Sequence, residues 1–157
     1  MQHLIKALGI TTVLLASSAY AETVSFPKNA ALTYSGNGGV TATMAYGRSA
    51  SNYNINTTFK IPLYSMQFRS SGSMSGNTMI PNSYSDTRRG KLYAQAKFNH
   101  GSKTITYGKA GESKSAPMRG VPMDLFSLAW QLALNNGKVS GVSQFTNGKK
   151  VYNEATN

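Results

Sequence analysis

Residues 52–60 read NYNINTTFK, and this stretch decides the fold class. Tyr53, Ile55, Thr57 and Phe59 alternate in it with polar residues. Successive side chains of a strand point to opposite faces, so this period of two predicts a strand with one apolar and one wet face. A half-wet strand is typical of an antiparallel sheet, because parallel sheets are covered on both faces.

Similar strands, separated by Gly, Pro, Ser and Asn, are predicted on both sides of this stretch. Residues 31–35 and 40–46 flank a Gly-Asn-Gly-Gly turn, which is a hairpin signal because these residues tolerate positive φ. Pro81 places residues 78–85 at a sheet edge or a bulge. Further strands are predicted at Tyr64, Met66 and Phe68, at Leu92, Ala94, Ala96 and Phe98, at 103–107, and in a hairpin of 139–146 with 149–152 around Asn147-Gly148.

One segment has a helical period instead. Residues 123–136 read MDLFSLAWQLALNN, with an apolar stripe of Leu125, Leu128, Ala129 and Leu132. Asp124 is predicted to cap this helix and Gly137 to end it. Only Ser127, Gln131 and Asn135 form its polar side, so we expect a largely buried helix with Phe126 and Trp130 in the core.

The N-terminal segment is predicted to be a signal peptide, residues 1–21. Lys6 precedes an apolar run at 7–16, and Ala19 and Ala21 form an A-x-A cleavage site. The run is shorter than the roughly 20 residues that span a bilayer. We expect cleavage after Ala21, a periplasmic location, no transmembrane segment in the mature chain, and one domain at 22–157.

The charge is strongly positive. The chain has 157 residues, 16 Lys and Arg, and 5 Asp and Glu. A field of this sign attracts polyanions, here anionic phospholipid, lipopolysaccharide phosphates or acidic glycans. Nucleic acid is the general expectation for so basic a chain, but export and the lack of a recognition motif argue against it. The alternative is that the charge serves solubility alone.

Few residues suit catalysis. There is no cysteine, and His100 is the only histidine after the signal peptide, so neither a metal nor a cofactor is predicted. A Ser-His-Asp triad would need His100 with Asp86 or Asp124. The pattern predicts a protein that is not an enzyme; a hydrolase of envelope glycans is the least favoured of three hypotheses.

Several motifs together resemble one family. They are RSSG at 69–72, YSDTRRGK at 84–91, AKFN at 96–99 and the helix opening PMDLFSL at 122–128. Over residues 30–150 the chain resembles the DUF3108 family of exported bacterial proteins, whose function is not established. The resemblance implies a mainly β fold: a curved antiparallel sheet, partly closed like a half-barrel, with one helix of the C-terminal half packed on it.

The resemblance also implies missing strands, since family members continue beyond a segment like 149–152. The chain is then either a natural short form or a truncated one. In both cases we expect an unpaired strand edge and a partly uncovered apolar face.

Two functions remain open. The favoured one is a non-enzymatic carrier that binds a lipid or another apolar group with an anionic head. Its predicted lining is Tyr53, Ile55, Phe59, Met66, Phe68, Phe126 and Trp130; its predicted rim is Arg69, Arg88, Arg89 and Lys91. The alternative is a structural or assembly protein whose strand edge or surface pairs with another envelope protein.

Overall fold

The protein is built on one large antiparallel sheet. The computed structural model describes residues 27–138 and 141–153; the predicted signal peptide lies outside them. The eight strands of the sheet are β1 Asn29–Ser35, β2 Thr41–Ser49, β3 Asn52–Ile61, β4 Tyr64–Ser75, β5 Thr78–Arg88, β6 Lys91–Asn99, β7 Thr104–Lys109 and β8 Lys114–Pro117. A short 3₁₀ turn, Asn37–Gly39, joins the first two.

The strands follow one another in sequence order across the sheet, and each is antiparallel to its neighbours. The sheet is open, because β1 and β8 each pair with a single strand among the described residues. This confirms the mainly β antiparallel fold expected from the alternating residues.

A helix and a second, small sheet pack on the large one. They consist of β9 Pro122–Asp124, α1 Leu125–Leu134, β10 Gln144–Thr146 and β11 Val151–Asn153. The order of the small sheet is β11, β10, β9, and β9 runs parallel to β10. The face of the large sheet that carries these elements is called the inner face below.

The period of two holds where it was clearest. Tyr53, Ile55 and Thr57 of β3 are buried on the inner face, while Asn52, Asn54 and Asn56 are exposed. Pro81 lies beside a bulge in β5, at a point where β6 has not yet begun to pair, so the expected edge or bulge is confirmed.

Leu92 departs from its predicted apolar face. Ala94, Ala96 and Phe98 are buried as expected, but Leu92 is exposed. The pairing of β5 with β6 shifts between Asp86 and Thr87, so that Tyr93 is an extra residue in β6. This bulge breaks the alternation, which explains why the period of two fails there.

The helix is capped as expected but buries a different side. Asp124 is its N-cap and Gly137 follows it with a positive φ. The buried helix residues, however, are Ser127, Trp130 and Gln131. Leu125 and Ala129, which were expected in the buried stripe, are exposed. The prediction was wrong because Ser127 and Gln131 find hydrogen-bond partners inside.

The C-terminal hairpin forms with different bounds. Its strands are only three residues each, and the connecting loop is Asn147 to Lys150 rather than the expected two residues. The Asn147 side chain accepts hydrogen bonds from the amides of Lys149 and Lys150. The loop is thereby held rigid over the large sheet, where the Gly108 amide donates to the Gly148 carbonyl at 2.8 Å.

The core has two clusters along the inner face. The first contains Tyr46, Tyr53, Ile55, Met74, Met79, Met123 and Trp130. The second contains Tyr84, Ala96, Phe98 and Ile105. Phe126 packs against both, so the first turn of α1 links the two clusters.

Candidate functional site

The predicted lining residues share one face of the sheet. Directly opposed residues of neighbouring strands lie on the same face. Phe59 opposes Met66 across β3 and β4, and Thr57 opposes Phe68. Together with Tyr53 and Ile55, which alternate with the exposed asparagines, they all lie on the inner face. Trp130 and Phe126 approach this face from α1.

The inner face is divided into two halves. The covered half lies under α1 and β9. Its Tyr53 and Ser70 belong to the large sheet, and Asp124, Ser127 and Gln131 belong to the helix and its cap above them. The open half lies nearer the β3–β4 turn and contains Leu32, Tyr34, Met44, Phe59, Ile61 and Met66. Phe68 and Phe126 meet at the boundary, with ring centroids 5.2 Å apart.

A chain of hydrogen bonds crosses the covered half. Ser70 Oγ donates to Asp124 Oδ2 at 2.6 Å, and Tyr53 Oη lies 3.3 Å from the same Oγ, which can accept from it. Asp124 Oδ1 accepts from the amides of Phe126 and Ser127, both at 3.0 Å. One carboxyl group therefore caps the helix and ties it to β4.

Burial controls the titration of this network. Removal from water raises the pKa of the Asp124 carboxyl above its usual range, against the hydrogen bonds from Ser70, Ser127 and Phe126, which lower it. Burial, with the nearby Asp124 charge, also raises the pKa of the Tyr53 hydroxyl far above its ordinary value. Tyr53 is therefore a neutral donor at every physiological pH.

Gln131 makes a second attachment. Its Oε1 accepts from the Met79 amide at 2.6 Å, and its Nε2 donates to the Asn77 carbonyl at 2.9 Å. The Met79 amide belongs to the start of β5, and the Asn77 carbonyl belongs to the turn before it. Among the described residues, this start of β5 pairs with β4 on one side and with no strand of the large sheet on its other side. The amide side chain thus satisfies an open stretch of strand edge.

The open half is apolar and only partly covered. Leu32, Tyr34 and Ile61 are 40%, 60% and 41% exposed, while Met44, Phe59 and Met66 are half-buried. A groove of about 180 Å³ runs between this half and the helix and is lined by Leu32, Met44, Ala129, Trp130 and Ala133. Contiguous exposed apolar surface of this kind marks interaction or ligand sites.

Trp130 forms the inner wall of this groove. Its ring stacks on Tyr46 with centroids 4.4 Å apart and an interplanar angle of 23°. It is the only tryptophan of the chain, so its fluorescence reports on this groove alone.

Three of the four predicted rim residues lie together, and Arg69 lies apart from them. Arg69 follows Phe68 in β4 and opposes Asn56, so it lies on the outer face, away from the lining residues. Arg88 opposes Met66 on the inner face. Arg89 lies in the β5–β6 turn and Lys91 follows that turn. The Arg89 guanidinium lies 5.0 Å from the centre of the Tyr64 ring. The structure thus brings three of the four to one end of the open half.

Two further residues lie beside Arg88, and neither was predicted as a site residue from the sequence. Tyr93, the extra residue of the β6 bulge, lies under the Arg88 guanidinium at 3.6 Å. Lys149 Nζ lies 5.8 Å from the centre of the same ring. Tyr93 lies in a bulge, and Lys149 contacts it from 56 residues away in the chain. No local pattern in the sequence therefore marks either residue.

The candidate catalytic residues are occupied elsewhere. His100 Nε2 lies 2.7 Å from the Pro81 carbonyl, so this nitrogen is the donor. Asp124 caps the helix, and Asp86 pairs with Arg88 at 3.0 Å. Among the residues that the structure describes, no three His, Cys, Asp or Glu side chains group in a way that suits a metal ion.

Comparison with known proteins adds no relative: no family model, curated protein or solved structure matches the chain. The resemblance to the DUF3108 family therefore stays a prediction. Within the described part of the chain, no helix has the length and apolar character to cross a membrane.

Proposed function

We propose that the protein is a non-enzymatic binding protein for an amphiphile with an anionic head, acting in the periplasm after export. The observation that carries the proposal is the open half of the inner face. A folded sheet normally covers such a surface, because each Å² of exposed apolar area costs roughly 25 cal/mol. Here α1 lies beside the open half and turns exposed Ala129 and Ala133 toward the groove.

The chemistry of the surface fits an acyl chain better than a polar ligand. The groove and the open half present aliphatic and aromatic carbon from Leu32, Met44, Phe59, Ile61 and Met66. Apolar binding sites take most of their affinity from such surface and their orientation from a few polar groups. Arg88, Arg89 and Lys91 supply positive charge at one end, which suits an anionic head.

Trp130 provides the test. A lysophospholipid with a brominated acyl chain is titrated into the protein expressed from the whole chain, and Trp130 fluorescence is followed. We expect saturable quenching, and a loss of affinity of roughly tenfold, about 1.4 kcal/mol, for Leu32→Asp. The matched control is Leu92→Asp, since Leu92 is 42% exposed, much like Leu32, but lies on β6. Quenching that does not saturate, or equal effects of the two variants, would contradict the proposal.

A second function is favoured by the edge strands. Strand β8 has four residues and carries Lys114 and Pro117, which protect an edge against pairing. Strand β1 has seven residues, NAALTYS, without charge or proline, and all except Ala30 are exposed. Such an edge suits the addition of a strand from an envelope protein. Crosslinking through a photoreactive residue at Thr33 tests it; recovery of monomer alone would contradict it.

A further inference from the structure

Arg88 is held in one orientation by three contacts. Its Nε lies 3.2 Å from both carboxylate oxygens of Asp86, and its Nη2 lies 3.0 Å from Oδ2. Asp86 is itself buried, and Arg88 Cζ lies over the Tyr93 ring, 3.6 Å from its centre. Among the described residues no hydrogen bond involves Nη1, so one edge of the guanidinium is free for a ligand.

Lys149 is brought to the same ring by the rigid loop of the small sheet. The Asn147 side chain fixes the Lys149 amide, and Gly148 lies against Tyr84 of β5. A Cβ on Gly148 would lie 3.0 Å from the Tyr84 ring and 3.2 Å from the Gln95 amide. The glycine therefore permits the close approach that places Lys149 near Tyr93.

The charges of this cluster do not balance. Asp86 offsets Arg88, but no carboxylate of the described residues pairs with Lys149. The other described acidic residues are engaged elsewhere: Glu112 pairs with Lys114 at 3.0 Å and Asp124 caps the helix. Because Arg89 lies in the adjacent β5–β6 turn and Lys91 follows it, the excess charge is positive and an anion would be attracted.

The cluster continues directly from the open half. Arg88 opposes Met66, and Met66 opposes Phe59, so the three form one row across β5, β4 and β3 on the inner face. Neighbouring strands lie about 4.8 Å apart, so this row spans roughly 10 Å. An acyl chain on Phe59 and Met66 would thus place its head at Arg88.

We propose that Arg88 and Lys149, held around Tyr93, bind the phosphate group of the ligand. This inference rests on the proposed function and names the head group of its ligand. Arg88 offers a planar donor edge and Lys149 a point charge, a combination that suits the several oxygens of a phosphate monoester. Inorganic phosphate shares this chemistry and is distinguished from a lipid head by experiment.

The experiment compares two lipids with the same chain. Myristoyl lysophosphatidate and monomyristoylglycerol are titrated separately, with Trp130 fluorescence as the readout. Lys149→Gln is expected to weaken lysophosphatidate binding about tenfold and to leave monomyristoylglycerol unchanged, because only the first carries a phosphate. Lys150→Gln, a neighbouring exposed lysine, and Arg69→Gln, on the outer face, are the matched controls and should change neither affinity.

A second variant guards against a folding defect. Arg88→Lys keeps the charge beside Asp86 but loses the planar donor edge, and should weaken lysophosphatidate binding several-fold while thermal unfolding stays cooperative. Inorganic phosphate should compete with lysophosphatidate and not with monomyristoylglycerol.

The possible failures are distinct. Equal affinity for the two lipids with no effect of Lys149→Gln would overturn the phosphate site and leave the proposed function standing. An equal loss in Lys150→Gln or Arg69→Gln would also overturn it, since diffuse charge would then explain the binding. If neither lipid bound, the proposed function would fail. Inorganic phosphate binding as tightly as lysophosphatidate would support the anion site and contradict the role of the open half.

Discussion

The two halves of the inner face distribute polarity in opposite ways. In the covered half Trp130 and Phe126 of the helix pack on the sheet, and the polar Asp124, Ser127 and Gln131 are buried with them. In the open half Leu32, Tyr34 and Ile61 are apolar and exposed. Directional hydrogen bonds to Ser70 and Met79 add to the apolar contacts of the helix in fixing its position, and the apolar surface of the open half stays exposed.

The largest loss of stability is expected when the polar attachment of the helix to the covered half is removed. Asp124→Ala removes the helix cap and leaves the Ser70 hydroxyl and two amides without their acceptor. We expect the free energy of unfolding to fall by about 3 kcal/mol, since a lost cap and buried unsatisfied groups each cost about 1–2 kcal/mol. Urea denaturation measures it. Asp124→Asn keeps a capping oxygen and should lose less; a loss below about 1 kcal/mol for the alanine would contradict this role.

Gln131 allows a milder test of the same attachment. Gln131→Met keeps the length of the side chain but loses both hydrogen bonds to the start of β5. We expect the free energy of unfolding to fall by about 1.5 kcal/mol, because the Met79 amide is left unsatisfied. Thermal unfolding monitored by circular dichroism measures it, with Gln67→Met of β4 as the control. An unchanged Tm would show that the helix is held by apolar contact.

The pH dependence of stability is a further test of the covered half, because Asp124 is buried there with no cationic partner among the described residues, whereas the buried Asp86 is paired with Arg88. The folded state raises the pKa of Asp124, so above the ordinary Asp pKa of about 3.9 it retains a proton that the unfolded chain releases. The contribution of Asp124 to stability is therefore complete below that pH and declines as pH rises toward the raised pKa. Urea midpoints between pH 4 and pH 7 should show this decline in the wild type and less of it in Asp124→Asn. Equal slopes would contradict it.

The smallest effect on stability is expected in the open half. Leu32→Asn and Ile61→Asn alter exposed side chains, so we expect changes in unfolding free energy within about 0.5 kcal/mol. The same variants should weaken binding of a brominated lysophospholipid, as measured by Trp130 quenching. Leu92→Asn, with similar exposure on β6, should leave binding intact. A marked loss of stability in Leu32→Asn would show that this surface serves the core instead.

The sequence predicted what depends on neighbouring residues. The alternation in β3, the Gly-rich hairpin, the bulge at Pro81 and the Asp124 cap all arise from local geometry. The position of Arg69 on the outer face could also have been predicted, because Arg69 directly follows Phe68, which points to the inner face, in the same strand.

Other features depend on partners distant in the chain. The buried side of α1 is decided by Ser70 and Met79, which lie 54 and 52 residues from their helix partners. The cluster of Arg88, Tyr93 and Lys149 requires a bulge and a loop from another sheet. Periodicity alone predicts the apolar stripe of a helix, but it does not reveal which polar side chains will find a buried hydrogen-bond partner.

Native mass spectrometry of the protein, purified from producing cells without detergent, shows directly whether the open half carries an amphiphile. If the open half binds an amphiphile, the spectrum contains a one-to-one complex whose added mass, on release, fragments as an acyl chain with an anionic head. The complex should be lost in Leu32→Asp and kept in Leu92→Asp. A spectrum of ligand-free protein alone, or an adduct retained equally by both variants, would contradict the account.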